Sequence, residues 1–190
     1  MFLILCLAFG FATASPTCTD EEGLKCIPGG EGDSHWLDDN WPNDEAKLDE
    51  VCKEILKELD CEADFGERCP ETIFGLYLEG IKRHKGLYKK LCDKSNTLRA
   101  EYLKHVSCVN EKILNLGDQC QNHMDLFQPD FTCSSGYHGY KTCVKDIIRD
   151  GCGDDGAKIF DTLYAPRQPI YEVICQKLCN ILKDLGLIKE

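Results

Sequence analysis

Cysteine is the residue type that most constrains the fold of this chain. Its 190 residues contain 14 cysteines. At this density in an oxidising compartment, cysteines form a disulfide framework, whereas a reducing cytosol would leave them as thiols or metal ligands. The compartment therefore decides what the cysteines do, and the first residues of the chain bear on it directly.

The chain begins with MFLILCLAFGFATAS, which has the layout of a secretory signal peptide. The hydrophobic run Phe2–Phe11 is followed by the small residues of Ala12–Ala14, which are typical of a cleavage site. The run is too short to span a membrane, which needs about 20 residues, and no later segment is apolar enough to be a transmembrane segment. We therefore predict a signal peptide over residues 1–14, removal of Cys6 with it, and a secreted, extracellular product.

Without Cys6 the number of cysteines is odd, thirteen, so at most six intrachain bridges can form. We predict that Cys18 is the unpaired one, because it lies close to the new N-terminus, where the chain is held most weakly. It would then form a disulfide-linked dimer or a mixed disulfide. In the alternative, Cys18 bridges Cys26 and the odd thiol lies within residues 52–179. The disulfide candidates are Cys18, Cys26, Cys52, Cys61, Cys69, Cys92, Cys108, Cys120, Cys133, Cys143, Cys152, Cys175 and Cys179.

Negative charge is concentrated near the N-terminus. Residues 20–50 carry eleven acids and two lysines, which accounts for −9 of the formal net charge of −11. Phosphate binding needs a basic surface, so nucleic acid is excluded as an expected partner. Residues 15–43 are rich in Gly and Pro and lack periodic apolar residues, which predicts an extended, poorly ordered acidic leader whose Trp36 and Trp41 could dock on the rest of the protein.

From residue 44 onward, apolar residues recur with helical spacing and no sustained alternation of period two occurs. We therefore predict a disulfide-rich domain over residues 44–190 that is an all-α, disulfide-stapled bundle of about six or seven helices. The first predicted helix is capped by Asn43 and extends to residue 61. The next two run from Pro70 to Cys92 and from Thr97 to Leu116. Three shorter helices are predicted at 119–127, 137–150 and 156–164, and a last one begins at Pro169.

Cysteines on the apolar helix stripes should bridge to neighbouring helices; these are Cys52, Cys92, Cys143 and Cys175. Cys175 and Cys179 are one helical turn apart, which fits a metal or redox pair as well as two bridges that leave one helix face. We favour the two bridges, because no CxxC or HxxxH motif supplies further zinc ligands.

The segment RDGCGDDGAKIFD places Asp150, Asp154 and Asp161 at positions one, five and twelve of a helix–loop–helix calcium site. The glycine at position six and the glutamate at position twelve are missing, so we predict no metal there. Instead we expect a turn, in which Gly151 ends one helix and Asp154 or Asp155 caps the next.

No residue of the chain is a catalytic candidate. The histidines lie in no recognised catalytic context, and the paired-cysteine, His-Asp signature of a secreted phospholipase is missing. We therefore predict that the protein is not an enzyme and carries no cofactor. The histidines are His35, His84, His105, His123 and His138.

The segment KRHKGLYKK, residues 82–90, is the most basic stretch of the chain. It could bind an anionic lipid surface or an acidic partner, for which the acidic leader of the chain itself is a candidate. A solvated helix face with cations near a helix C-terminus explains it as well, and we favour this interpretation.

The stretch LYKKLCDKSNTLRAEYLKHVSCV, followed by Cys120 and by YKTCVKDIIRDGCG and VICQKLC, resembles a family of secreted arthropod proteins. These are the cysteine-rich helical proteins related to the twenty-seven-kilodalton hemolymph glycoprotein of insects, and the resemblance covers about residues 45–180. It implies an extracellular, disulfide-stabilised helical protein of hemolymph or secretions, without an established activity and without catalytic residues to transfer. No Asn-x-Ser/Thr sequon occurs, which departs from the glycoprotein label.

These features predict a secreted non-enzymatic protein that acts as a binding or carrier protein or as a defence factor. Its partner would be an unidentified protein or a small hydrophobic ligand. A venom or salivary effector that acts on a receptor or channel is the alternative, and a secreted hydrolase is a weaker one. Tissue of expression separates the first two hypotheses, and a concave pocket with perturbed titratable groups would be required for the third.

Overall fold

The structure is a computed structural model. It describes residues 18–27, 41–116, 119–120, 133–169 and 172–173, with the backbone alone for residues 133–137. The predicted signal peptide, most of the helix predicted at 119–127 and most of the helix predicted from Pro169 lie outside the described residues.

The described residues form six helices and no strand. The all-α prediction is confirmed for this part of the chain. The elements are α1 (Asp20–Leu24), α2 (Glu45–Arg68), α3 (Ile73–Leu76), α4 (Leu78–Cys92), α5 (Thr97–Leu114) and α6 (Cys133–Tyr164), followed by a 3₁₀ turn (Ala165–Arg167). Within the described residues, no helix has the length and hydrophobicity needed to cross a membrane.

The residue that caps α2 is Asp44, one residue later than the cap predicted from the sequence. Asp44 has an extended backbone, and its carboxylate accepts a hydrogen bond from the Lys47 amide at 2.8 Å. The predicted cap, Asn43, instead uses its carbonyl to accept a hydrogen bond from the Ser107 hydroxyl at 3.2 Å. Tertiary contact with α5 therefore explains the shift.

The predicted helix from Pro70 to Cys92 is divided. Tyr77, with φ −98° and ψ 4°, separates the single turn α3 from α4. Gly75 folds back onto the preceding turn so closely that a Cβ there would lie 2.4 Å from the Pro70 Cα. Helix α3 is capped by the Thr72 hydroxyl, which accepts a hydrogen bond from the Gly75 amide at 3.4 Å.

Helix α6 is a helical hairpin with its corner at Gly153. This residue has φ 75° and ψ 179°, a conformation that is almost restricted to glycine. Lys141 Nζ lies 3.5 Å from Asp161 Oδ1, and Lys145 binds the other carboxylate oxygen. In a continuous helix, residues this far apart in sequence would be about 24 to 30 Å apart, so the two arms are antiparallel.

The two helices predicted at 137–150 and 156–164 therefore exist, but the turn predicted at Gly151 is wrong. Gly151 is helical and lies against α5, where an added Cβ would be 2.2 Å from Lys112 Cε. The residue that breaks the helix is Gly153. Both glycines satisfy a local turn pattern, and packing against α5 determines which one forms the corner.

The apolar stripes predicted for the long helices face the core. Leu48, Ile55 and Leu59 of α2 are fully buried, whereas Val51 and Cys52 are half-buried against the core. Burial of a side chain of this size stabilises the fold by about 1.5–3 kcal/mol. The other helices contribute Ile81 and Leu91 (α4), Tyr102, Val106 and Val109 (α5), and Val144, Ile148, Phe160 and Leu163 (α6).

Residues 18–27 were predicted to be extended, yet they contain α1 and pack on the rest of the protein. A Cβ on Gly23 would lie 2.3 Å from the Phe74 ring, so α1 lies directly against that ring. Ile27 is buried, and the Asp20 carboxylate accepts a hydrogen bond from the Ile73 amide at 2.8 Å. The poorly ordered leader is therefore a wrong prediction for these residues, while residues 28–40 lie outside the described part of the chain.

Five disulfides connect ten of the candidate cysteines. Cys18 is bonded to Cys69, so the prediction that Cys18 is unpaired is wrong, and so is the alternative Cys18–Cys26 bridge. Packing of α1 on α3 explains the error, because it brings Cys18 to the end of α2. The bridges are Cys18–Cys69, Cys26–Cys61, Cys52–Cys92, Cys108–Cys152 and Cys120–Cys143.

The bridges divide the described structure into two halves. Three of them lie within α1 to α4 and the segment before α2, which we call the N-terminal half. The other two lie within α5, α6 and the residues around them; with the 3₁₀ turn, these form the C-terminal half. None of these five bridges joins one half to the other, so the described contact between the halves is noncovalent.

Candidate functional site

The interface between the two halves is the most polar buried region that the structure describes, and we treat it as the candidate functional site. Helix α4 packs against α5 and against the 3₁₀ turn, and the segment before α2 lies along α5. Three buried side chains make contacts across the interface, namely Arg99, Asn110 and Arg167, and the N-terminal half buries the ionisable side chains Glu58, Glu62 and His84.

The segment Trp41–Asn43 is bound to α5 through three consecutive backbone carbonyls. Asn110 Nδ2 donates to the Trp41 carbonyl at 2.6 Å, and the Tyr102 hydroxyl donates to the Pro42 carbonyl at 2.5 Å. The Asn43 carbonyl accepts from the Ser107 hydroxyl, as described above. Side chains of α5 thus satisfy three consecutive carbonyls of a segment that runs from the buried Trp41 to the exposed Asn43.

Arg99 of α5 forms a second polar contact across the interface. It is 3% exposed, and its Nη1 donates to the Leu91 carbonyl at 2.9 Å, at the end of α4. Its Nη2 donates to Asp49 Oδ1 at 2.6 Å and to Glu45 Oε1 at 3.3 Å, both on α2.

The Asp49 carboxylate also accepts a hydrogen bond from Lys94 Nζ at 2.7 Å. The hydrogen bonds from Lys94 and then from Arg99 hold the pKa of Asp49 below its ordinary value. The carboxylate therefore stays charged at neutral pH and keeps the buried guanidinium paired. This contact connects α2, α4 and α5.

Arg167 of the 3₁₀ turn forms the third contact. Its guanidinium carbon lies 5.1 Å from the centre of the Tyr164 ring and 5.5 Å from that of Trp41. The two rings meet edge to face at 5.8 Å. A guanidinium near the faces of aromatic rings is attracted by their quadrupoles, and more strongly when it is desolvated. Arg167 therefore connects the 3₁₀ turn to the segment before α2.

His84 lies on the face of α4 that the 3₁₀ turn covers. It is 2% exposed, and its Nδ1 lies 3.0 Å from the Gly80 carbonyl. Burial is the main cause that lowers the pKa of His84 to about 3; the hydrogen bond to Gly80 opposes this shift, and the positive charge of Arg167 contributes to it. The ring is therefore neutral at physiological pH, with its proton on Nδ1.

Two acids of α2 are also buried. Glu62 is fully buried and Glu58 is 3% exposed, and they lie one turn apart on the same face. The disulfide Cys52–Cys92 and the ion pairs Asp60–Lys85 and Glu67–Lys82 show that α2 and α4 are antiparallel. In this register, His84 lies opposite the turn that contains Glu62. We call Glu58, Glu62, His84 and Arg167 the buried ionisable cluster.

The sequence contains one signal for the two acids of this cluster, which the predictions above do not include. Glu58 and Glu62 follow Ile55 by three and seven residues, so they fall on the predicted apolar stripe of α2. An acid on such a stripe has to be buried with its charge balanced. The position of Arg167 carries no comparable sequence signal, because it depends on how the 3₁₀ turn docks on α4.

The basic segment at residues 82–90 makes ion pairs with neighbouring helices. Lys82 Nζ lies 2.6 Å from Glu67 Oε1, Lys85 pairs with Asp60, and Arg83 Nε lies 2.8 Å from Glu79 Oε1. Among the described residues, the acidic partners of these three cations come from α2 and α4. The acids of residues 28–40 lie outside the described part of the chain, so the leader as a partner stays a prediction. Exposed pairs of this kind contribute at most about 1 kcal/mol each.

The aspartates weighed as calcium ligands face cations. Asp161 binds Lys141 and Lys145, and Asp154 Oδ1 lies 3.4 Å from Arg149 Nε. In the described part of the chain, no group of three or more His, Cys, Asp or Glu side chains is arranged to hold a metal ion.

Of the cysteines predicted to join helices, Cys52 and Cys92 connect α2 to α4 as expected, whereas Cys143 of α6 is bonded to Cys120, which lies in a turn. The side chains of Cys133, Cys175 and Cys179, together with His35 and His123, lie outside the described part of the chain.

Comparison with known protein families, with characterised proteins and with solved structures finds no match for this chain. Function must therefore be argued from the chemistry of the chain itself.

Proposed function

We propose that this protein is a secreted, non-enzymatic binding protein of an extracellular fluid, a carrier or a defence factor. The observation that carries the proposal is the set of five disulfides in one helical framework. Such a framework forms and persists in oxidising compartments. The signal-peptide pattern of residues 1–14 supports the same compartment independently of the cysteines.

Burial of the ionisable groups supports a non-enzymatic role. The groups of the buried ionisable cluster are at most 4% exposed. A catalytic group has to reach its substrate, so groups enclosed in this way favour a structural role. The cross-linked helices provide a stable scaffold, which suits a protein that binds a partner in a fluid rich in proteases.

The resemblance to the hemolymph proteins supports a role in hemolymph or a related secretion. It rests on the spacing of Cys92, Cys108, Cys120 and the later cysteines. The ligand class that we propose is a small hydrophobic molecule or a protein, and the acidic composition argues against nucleic acid.

A disulfide-linked dimer or a mixed disulfide is also part of this proposal. If Cys6 is removed together with the signal peptide, three cysteines remain besides the ten that are bonded, namely Cys133, Cys175 and Cys179. Three cannot all pair within one chain. We therefore propose that the unpaired cysteine is one of these three and not Cys18.

Secretion of the full chain from insect cells tests the proposal. We expect N-terminal sequencing to begin at Ser15 and the intact mass to rise on reduction by the equivalent of five or six bridges. Native mass spectrometry of the same material should detect a co-purifying hydrophobic ligand or a protein partner. Retention of the chain inside the cell with reduced cysteines would contradict the proposed compartment, and repeated isolation of ligand-free protein would contradict the carrier role.

The odd cysteine is tested separately by non-reducing electrophoresis of Cys133→Ser, Cys175→Ser and Cys179→Ser variants. One variant should lose the dimer or the added mass of a small thiol, whereas a Cys18→Ser variant should keep it. A wild-type monomer with no adduct and no alkylatable thiol would contradict this part of the proposal.

A further inference from the structure

Disulfides hold each half together, whereas no described disulfide crosses the interface between the halves. Each half is closed by disulfides, whereas the described interface depends on hydrogen bonds, the Arg99 ion pairs and the docking of Arg167. Acid does not break disulfides, but it changes the charge of buried ionisable groups. The interface is therefore the part of the structure that is most sensitive to pH.

His84 lies at the centre of this sensitivity. Arg167 belongs to the 3₁₀ turn that packs on α4, and its charge acts on His84; on α2, which also packs on α4, the turn that contains Glu62 lies opposite His84 in register. On α4 itself, the Gly80 carbonyl accepts the Nδ1 proton. From α5, the charged group next to α4 is Arg99, which is bound at the far end of the helix by the Leu91 carbonyl.

A proton on His84 would create a second positive charge beside Arg167 in a region that water does not reach. Both desolvation and repulsion disfavour that state. Undocking of the 3₁₀ turn removes both penalties, because it withdraws Arg167 and admits water to the ring. Proton uptake and undocking are therefore coupled events.

We propose that acidification opens the interface between the two halves, by proton uptake at His84 coupled to release of the Ala165–Arg167 turn, while the disulfides keep each half folded. In the open state His84 returns to its ordinary pKa of 6.5, whereas it is about 3 in the closed state. The open state thus binds the proton more tightly. Between these two pKa values, the equilibrium constant for opening rises about tenfold for each unit by which the pH falls.

Trp41 reports the opening directly, because its ring lies against Arg167 and Tyr164 and it is buried. The chain has two tryptophans, so a Trp36→Phe background leaves Trp41 alone. We expect its emission to shift to longer wavelength as pH falls from 7.5 to 3.5, in oxidised full-length protein. Far-UV circular dichroism should keep most of its helical signal through the same range. Loss of helix with the same midpoint would mean global unfolding and would overturn the proposal.

Three variants in this background assign the titrating group. His84→Asn keeps a donor for the Gly80 carbonyl and removes the titrating ring, and it should lower the midpoint by about one pH unit or more. His138→Asn, at an exposed histidine of α6, should leave it unchanged. Glu62→Gln separates protonation of the buried acids from that of His84. An unchanged midpoint in His84→Asn, or a shift confined to Glu62→Gln, would overturn the proposal.

Nuclear magnetic resonance of the wild-type protein gives a test without a substitution near the interface. The His84 ring resonances should keep the neutral tautomer until the Trp41 signal changes, and both should then follow one midpoint. Titration of His84 at its ordinary pKa with Trp41 still buried would show that the two events are not coupled and would overturn the proposal.

Discussion

In the N-terminal half, three disulfides with sequence separations of 51, 35 and 40 residues surround helices of very unequal length. Helices α1 and α3 have five and four residues, which is far too short for stability without tertiary contacts. In the C-terminal half, two disulfides accompany the 18-residue helix α5 and the two arms of the α6 hairpin, which together span 32 residues. Covalent bonds are thus concentrated where the helices themselves are least stable.

The N-terminal half buries two acids and a histidine, Glu58, Glu62 and His84, whereas the ionisable side chains that the C-terminal half buries are the arginines Arg99 and Arg167 at the interface. Buried charge is costly unless it is paired. Both halves therefore contain buried charge, but the half with the very short helices α1 and α3 needs additional constraint, and the three disulfides provide it. This difference gives the following expectations, from the largest effect to the smallest.

Removal of the Cys52–Cys92 bridge by double substitution to alanine should lower the free energy of unfolding by about 4 kcal/mol, because it frees a long loop in the unfolded state. Chemical denaturation measures the loss. Hydrogen exchange should show faster exchange in α2 and α4 and little change in α6. The matched control is removal of Cys120–Cys143, which should affect α6 first; an identical exchange pattern in both variants would remove the distinction between the halves.

Replacement of Arg99 by methionine tests the polar contact that joins the halves. It removes the donor to the Leu91 carbonyl and to Asp49 and should cost about 2–4 kcal/mol in the free energy of unfolding. Arg83→Met is the control, because Arg83 makes an exposed ion pair within α4 and should cost less than about 1 kcal/mol. Equal losses for both variants would show that burial of Arg99 contributes nothing.

Two glycines with open space around them test the corner of the α6 hairpin. An added Cβ meets no atom within 4 Å at either Gly153 or Gly86, so only the backbone conformation differs. Gly153→Ala should destabilise by about 1–3 kcal/mol because of its positive φ, whereas Gly86→Ala in α4 should stabilise by about 0.4–1 kcal/mol. Thermal denaturation of the two variants should therefore give shifts of opposite sign, and shifts of the same sign would contradict the assigned corner.

The smallest effect is expected at the surface ion pair between α2 and α4. Lys82→Ala removes the partner of Glu67, with both side chains about half exposed, and should change the free energy of unfolding by less than about 1 kcal/mol. The change should shrink further in high salt, because exposed charges are screened. A loss above 2 kcal/mol that persists in high salt would show that this surface holds the two helices together.

Sequence periodicity by itself determined the helical class, the core stripes of α2 and α5 and the start of α5 at Thr97. The physical reason is local. A stripe of apolar residues at helical spacing has one way to be buried, and a cap acts within a single turn. The apolar positions of the cysteines likewise indicated that bridges would join helices, since a buried cysteine meets whichever element covers it.

The tertiary structure alone decided features that depend on residues distant in sequence. Cys18 pairs with Cys69 because α1 docks on Phe74, and the corner of α6 lies at Gly153 because Gly151 packs on Lys112. The odd number of cysteines followed from counting, but the pairing depends on which thiols packing brings together. Burial of Glu62 beside the turn of His84 arises in the same way, since the energy of a buried charge depends on neighbours that only the folded chain supplies.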